Sequence, residues 1–150
     1  MRAIIFRLSE YKFYSYDEVD KENIEERRIL GYFSSEEMLK DSIRLCIESG
    51  IDESCLSINA YSLILRKGQR YIFELSYSYS VQTTSSNYVD YDYIFEPKAS
   101  KDDCLKLKKR LVRQYKFQPT TDKIFDSSVP DGFWVERYDI NKLYSVVGKS

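Results

Sequence analysis

The chain contains no histidine, and that absence excludes more than any motif includes. Without imidazole there is no Ser-His-Asp or Cys-His nucleophile and no histidine general base. Most zinc sites also lose a usual ligand. Only three cysteines occur, Cys46, Cys55 and Cys104, with no CxxC spacing. An odd, scattered set is no disulfide framework, so each is expected to pack as a small hydrophobe in a reduced cytoplasm. No run approaches the ~20 apolar residues of a membrane span. The opening Met1 to Glu10 has too few apolar residues before charge, and no small-residue cleavage site, to read as a signal peptide. Glycine is scarce as well, with five in the chain, and two loop motifs fail for want of it. Gly148-Lys149-Ser150 ends like a phosphate-binding loop, but Leu143 stands where its first glycine belongs. The acidic residues near position 20 lack the turn glycine and the spacing of a calcium loop. The expectation is no catalytic residue, no metal site and no cofactor.

What is present is tyrosine and charge. Aromatics make up 15% of the 150 residues, 14 of them Tyr, and charged residues make up 31%. A chain of this length buries roughly 68–70% of its unfolded surface and folds without staples. The net charge of −1 conceals an asymmetry. Residues 1–66 hold nine Lys/Arg and thirteen Asp/Glu, whereas residues 67–150 hold fourteen and eleven. The acidic excess concentrates in residues 17–26 and the basic excess in residues 106–116.

The sharpest secondary-structure signal is Tyr71 to Val81. Tyr71, Phe73, Leu75, Tyr77, Tyr79 and Val81 alternate with mostly small or charged residues, Glu74, Ser76, Ser78 and Ser80 among them. That alternation predicts a strand with the first set buried and the second towards solvent. Residues 3–14 give an earlier strand, with Ile4, Phe6 and Leu8 on one face. The acidic stretch 17–26 follows as a loop, then a strand from Arg27 to Phe33. Ser34 with Glu37 forms a capping box that opens a helix. Met38, Leu39, Ile43, Cys46 and Ile47 line its apolar stripe, and Gly50 stops it. Leu56 to Leu65 is a third strand, and Arg66 to Arg70 a short turn.

The second half repeats the plan. Residues 83–87 are a polar hairpin loop, and Tyr88 to Phe95 a strand that Pro97 closes. Ser100 with Asp103 opens a second helix, with Cys104, Leu105 or Leu107, Leu111, Val112 and Tyr115 on its apolar side. Asp131-Gly132 marks a turn, and Phe133 to Ile140 is the last strand. Ile4-x-Phe6-x-Leu8 matches Tyr71-x-Phe73-x-Leu75. Leu56, Ile58, Tyr61 and Leu63 match Phe133, Val135, Tyr138 and Ile140 at the same unequal spacing. The reading is an α+β fold made of two tandem ββαβ units, residues 1–66 and 70–150, in a single compact domain. The sheet is mostly antiparallel, with one helix per unit. Strand directions within a unit give the order second-first-third. The tight turn around Gly68, however, favours pairing the strands that it joins. The expectation is therefore that the closing strands are exchanged between units, with Phe133 to Ile140 beside Ile4 to Tyr14.

Three segments together, Lys12 to Tyr16, Arg27 to Ile43 and Pro130 to Tyr144, resemble a family of short uncharacterised bacterial proteins. Leu30-Gly31-Tyr32-Phe33-Ser34-Ser35 carries its strand-end signature. Asp131, Gly132, Phe133, Tyr138, Asp139 and Ile140 carry its closing strand. The family unit is about half this chain, so the resemblance implies two copies. The family commonly has a histidine in its first strand. This chain has none, so no role for that residue is transferred. The resemblance brings no established activity.

Two charged segments remain as candidate surfaces. Asp17, Glu18, Asp20, Glu22, Glu25 and Glu26 read either as a solvated hairpin tip or as an anionic finger. A finger would enter a basic cleft of a protein partner, such as a nuclease active site, and speed association by electrostatic steering. Lys106, Lys109, Arg110, Arg113 and Lys116 lie near one stripe of the second helix. They read as a solvated face or as phosphate contacts, although a pI near 5.6 argues against a dedicated nucleic-acid binder. The leading expectation is a non-enzymatic protein-binding or inhibitor protein of a bacterium or its phage. Its most concrete form is a toxin-neutralising immunity protein, with a toxin or nuclease as partner and no membrane. The alternatives are a phage-encoded inhibitor of a host defence nuclease, a nucleic-acid-binding module using the second helix, and a carboxylate-based enzyme.

Overall fold

A computed structural model describes residues 2–15, 23–82, 88–114 and 132–144. The fold is α+β, with two three-stranded antiparallel sheets and two helices. Six strands run in chain order: β1 (Arg2–Ser15), β2 (Asn23–Phe33), β3 (Leu56–Ile64), β4 (Tyr71–Gln82), β5 (Tyr88–Ile94) and β6 (Phe133–Asp139). The helices are α1 (Glu36–Glu48) and α2 (Lys101–Arg113), and a short 3-10 turn spans Glu53–Cys55. The chain divides into two compact units. The first comprises Met1–Arg70 with Tyr138–Ser150, the second Tyr71–Arg137.

The first sheet has the order β2-β1-β3 and the second β5-β4-β6. Each closing strand therefore lies beside the opening strand of its own sheet, and the expected exchange does not occur. The turn rule that suggested it fails for a physical reason. Six residues separate Ile64 from Tyr71, and they close their own small turn, with Gln69 N–H donating to the Arg66 carbonyl at 3.0 Å. Nothing in that turn forces the flanking strands into one ladder. Pairing of β3 with β1 then runs nine residues in register, from Arg2↔Ile64 to Glu10↔Leu56.

In the first unit, α1 packs on the sheet face that carries Leu8. Leu8, Leu30, Phe33, Leu39 and Cys46 form the core, with Phe6, Ile43, Ile51, Leu56 and Leu143 against it. Met38 and Ile47, expected on the buried stripe, are exposed. The helix buries only the narrower face of Leu39, Ser42 and Cys46. Its cap is Ser35 rather than Ser34, since Ser35 Oγ accepts from Met38 N–H at 3.2 Å. Gly50 follows its end with φ +105°. The β1–β2 ladder shifts register at a bulge between Leu8 and Ser9.

In the second unit, α2 is capped as expected, with Ser100 Oγ accepting from Asp103 N–H at 3.1 Å. Cys104, Leu107 and Leu111 pack against Leu75, Tyr77 and Phe133. Gly132 leads into β6 with φ +75°, and a Cβ there would lie 2.8 Å from the Ser78 carbonyl oxygen. The position is closed to other residues on both counts. One expectation about β4 is overturned. Glu74 and Ser76, expected towards solvent, are both buried. This part of β4 is covered on both faces, so its polar alternation marks a second buried surface rather than a wet one.

A segment after β6 completes the first unit. Residues 140–144 run along the outer edge of β2, through a parallel bridge Tyr32↔Ile140. Asn141 N–H donates to the Tyr32 carbonyl and Tyr144 N–H to the Leu30 carbonyl, both at 2.7 Å. The Asn141 side chain accepts from Ser34 N–H and donates to Ser34 Oγ, each at 2.9 Å. Ser34, freed from capping duty, thus anchors this strap. Gly31 makes the approach possible, since a Cβ on it would meet the Lys142 carbonyl oxygen at 2.5 Å.

Candidate functional site

The acidic segment divides between what the structure describes and what it does not. Asp17, Glu18, Asp20 and Glu22 lie outside the described residues. Glu25 and Glu26 were expected in a loop but belong to β2, opposite Phe13 and Lys12 of β1. The strand reaches back to Asn23 because β1 offers it a backbone ladder, whatever the side chains contribute. β3 stops pairing at Glu10, whereas β1 and β2 pair on from Tyr11↔Arg27 to Ser15↔Asn23. Glu25 and Glu26 therefore lie within a two-stranded arm that continues five residues past β3, about 17 Å at ~3.4 Å per residue. At the arm's base, Glu10 holds Arg28 in an ion pair at 2.6 Å. Arg27 stacks over the Tyr11 ring, 5.3 Å from its centroid.

The basic candidates lie on α2. Lys106, Lys109, Arg110 and Arg113 are all exposed, and their spacing places them along one side of the helix. None of the four forms an ion pair among the described residues. Lys116 lies outside the described residues. Lys108 turns the other way, over the Phe133 ring at 5.6 Å. The acidic and basic candidates belong to different units.

The sequence reading missed a buried arginine. Arg7 is 1% exposed at the middle of β1. Its Nε donates to Tyr32 Oη at 2.8 Å and its Nη1 to Tyr61 Oη at 2.9 Å. The guanidinium also faces both rings, 5.5 and 4.9 Å from their centroids. Tyr32 continues edge-on into Tyr138, and Tyr138 into Tyr144. One permanent cation thus ties β2, β1 and β3 together and leads into the strap. The signal that could have located it was an arginine at an alternating position of a strand whose neighbours carry tyrosines.

Cys46 and Cys104 are both buried. Burial pushes the Cys104 thiol up to about 11, with Asp103 and Glu74 adding to the rise and Lys98 opposing it. Burial also raises the Cys46 thiol, helped by Glu10 and opposed by Arg28. Among the described residues, no three His, Cys, Asp or Glu side chains gather as metal ligands. No helix there is long and apolar enough to cross a membrane. Comparison of the chain with protein-family models, with curated proteins and with solved structures finds no match to any of them.

Proposed function

We propose that this chain is a non-enzymatic binding protein, most concretely a toxin-neutralising immunity protein, whose acidic arm enters a basic cleft of its protein partner. The observation that carries this reading is the extension of the β1–β2 ladder beyond β3, which sets Glu25 and Glu26 on a projecting ribbon. Residues 17–26 hold six acidic residues and one lysine, and a ribbon of that charge suits a cleft better than a flat surface. Its charge would steer diffusional encounter and make the association rate depend on salt. A phage-encoded inhibitor of a defence nuclease would use the same ribbon. The test begins by capturing the partner from source-cell lysate on the immobilised protein. Association is then measured by stopped flow at rising ionic strength. Reversing Glu22, Glu25 and Glu26 to Lys is expected to slow association at least tenfold at low salt and to flatten its salt dependence. Unchanged kinetics with a variant of intact fold would remove the arm from recognition.

A second reading rests on α2, where four exposed cations share one side and form no ion pair among the described residues. In that reading the helix contacts phosphates, and binding of single-stranded DNA would weaken steeply with salt. Fluorescence anisotropy with Lys106, Lys109, Arg110 and Arg113 changed to Gln separates the two readings.

The same proposal takes the halves as copies of one ββαβ unit of the resembled family. Ile5-Phe6-Arg7-Leu8-Ser9 and Ile72-Phe73-Glu74-Leu75-Ser76 differ at one residue, and each stretch lies in the middle strand of its sheet. Each helix is capped by a serine, Ser35 and Ser100.

A further inference from the structure

Of the strands at sheet edges, β3 is the one with neither a charged residue of its own nor a covering strand among the described residues. The outer edge of β2 is occupied by the strap at Ile140 to Tyr144. β6 carries Glu136, Arg137 and Asp139, and β5 carries Asp90 and Asp92. Charges of this kind discourage a second strand from docking. β3 has none. Residues 54–65 are uncharged and free of proline and glycine, in a chain that is 31% charged. Its pairing with β1 runs without a bulge, and on its other side no strand pairs with it among the described residues.

The face beside that edge is open and mostly apolar, with Arg2 at one end donating to Ser62 Oγ at 3.1 Å. Register places Ile4 of β1 on the same face as Ile58, Ala60 and Ile64 of β3. α1 packs over β1 and β2. Ile4, Ile58 and Ile64 stay 49%, 48% and 65% exposed. An uncharged strand edge with isoleucines beside it selects a partner that is itself a neutral, β-prone strand.

We propose that β3 is a dimerisation edge, on which two copies of this chain join by antiparallel β3–β3 pairing about a two-fold axis at Ala60. The strand is self-complementary in that register. Leu56 faces the second copy's Ile64, Ile58 faces its Ser62, and Ala60 faces Ala60 across the axis. Two three-stranded sheets become one of six strands, and the isoleucine patches meet along the seam. The strap on β2 closes the far edge of each copy, so the assembly stops at two.

Sedimentation velocity of the full chain across a concentration series tests this. The expected species at high concentration has twice the 17.8 kDa chain mass. Ile58→Lys and Ile64→Lys change exposed side chains, so they should keep the circular dichroism spectrum and abolish the dimer. The register is tested separately by Ala60→Cys in a Cys55→Ser background. Mild oxidation should give a covalent dimer there, because directly opposed residues lie within disulfide reach. Ser57→Cys in the same background should give none. A wild-type chain that stays monomeric at several hundred micromolar overturns the proposal. So does a dimer that survives both lysine variants, or cross-linking at Ser57 but not at Ala60.

Discussion

Replacing Gly31 with alanine is the most direct way to ask what the strap contributes. Gly31 is not among the positive-φ residues, so backbone strain plays no part. The obstacle is space, since the new Cβ would sit 2.5 Å from the Lys142 carbonyl oxygen and 2.9 Å from Phe33 Cζ. The Phe33 ring is buried and the carbonyl belongs to the strap, so the strap must move. If it leaves, the Asn141–Tyr32 and Tyr144–Leu30 backbone hydrogen bonds go with it, at about 1 kcal/mol each. Leu143 also loses its packing on the Leu8–Leu30–Phe33 core, about another 1 kcal/mol for a partly buried leucine. If the strap only shifts, overpacking alone costs about 1–3 kcal/mol. Gly31→Ala is therefore expected to destabilise the first unit by about 2–3 kcal/mol, a drop of about 1–1.5 M in urea midpoint at a slope of ~2 kcal/mol/M. Hydrogen exchange supplies the local readout, because the Asn141 and Tyr144 amides should lose protection ahead of β1. A midpoint within ~0.2 M of wild type, with both amides still slow, would refute the reasoning.

Other expectations follow from the same geometry. Arg7→Lys keeps the charge but loses the two-armed donation to Tyr32 and Tyr61. It should cost about 2–4 kcal/mol in denaturant unfolding, and a neutral result would mean that the guanidinium is dispensable. At pH 8, burial keeps the Cys104 and Cys46 thiols protonated, so a thiol reagent should modify the part-exposed Cys55 first and the other two only after unfolding; three equally fast thiols would contradict this. Ser100→Ala removes the cap of α2 and should lower stability by about 1 kcal/mol, read from thermal unfolding. A fragment of residues 1–70 should unfold without cooperativity alone and gain a cooperative transition when a peptide of residues 138–150 is added.

Where the sequence was legible, local physics and the final structure agree. The alternation of Tyr71 to Val81 gave β4, and Ser100 with Asp103 gave the start of α2. Cys46 and Cys104 were placed on buried stripes, where they lie. At the start of α1 the signal was ambiguous by one residue, because consecutive serines precede consecutive glutamates, and Ser34 turned out to serve a residue far along the chain. The strap itself was invisible. Ile140 to Tyr144 has no period of its own and takes an extended course only because the β2 edge accepts it. The buried faces around Arg7 and Glu74 were hidden for a different reason. Alternation reports that two faces differ in polarity, and it cannot report that both are covered. The closing strands were misassigned by giving a local turn precedence over the two ladders that β1 and β4 complete. Of the candidate surfaces, the exposed row on α2 could be read from helical spacing alone. The arm carrying Glu25 and Glu26 could not, because its length is set by backbone pairing with β1.

The strap also fixes an order of events during synthesis. Ser34 and Asn141 are 107 positions apart, and the second unit is spelled out entirely between them. A growing chain makes β1, β2, α1 and β3 first, yet must hold them with the β2 edge bare and the groove over Gly31 empty until residues 140–144 emerge. The continuous stretch 71–137 is complete before that moment. The unit begun second can therefore finish first, and the unit begun first spends the whole interval with an edge on which stray strands can pair. A message that stops short of Asn141 would leave every copy in that condition permanently.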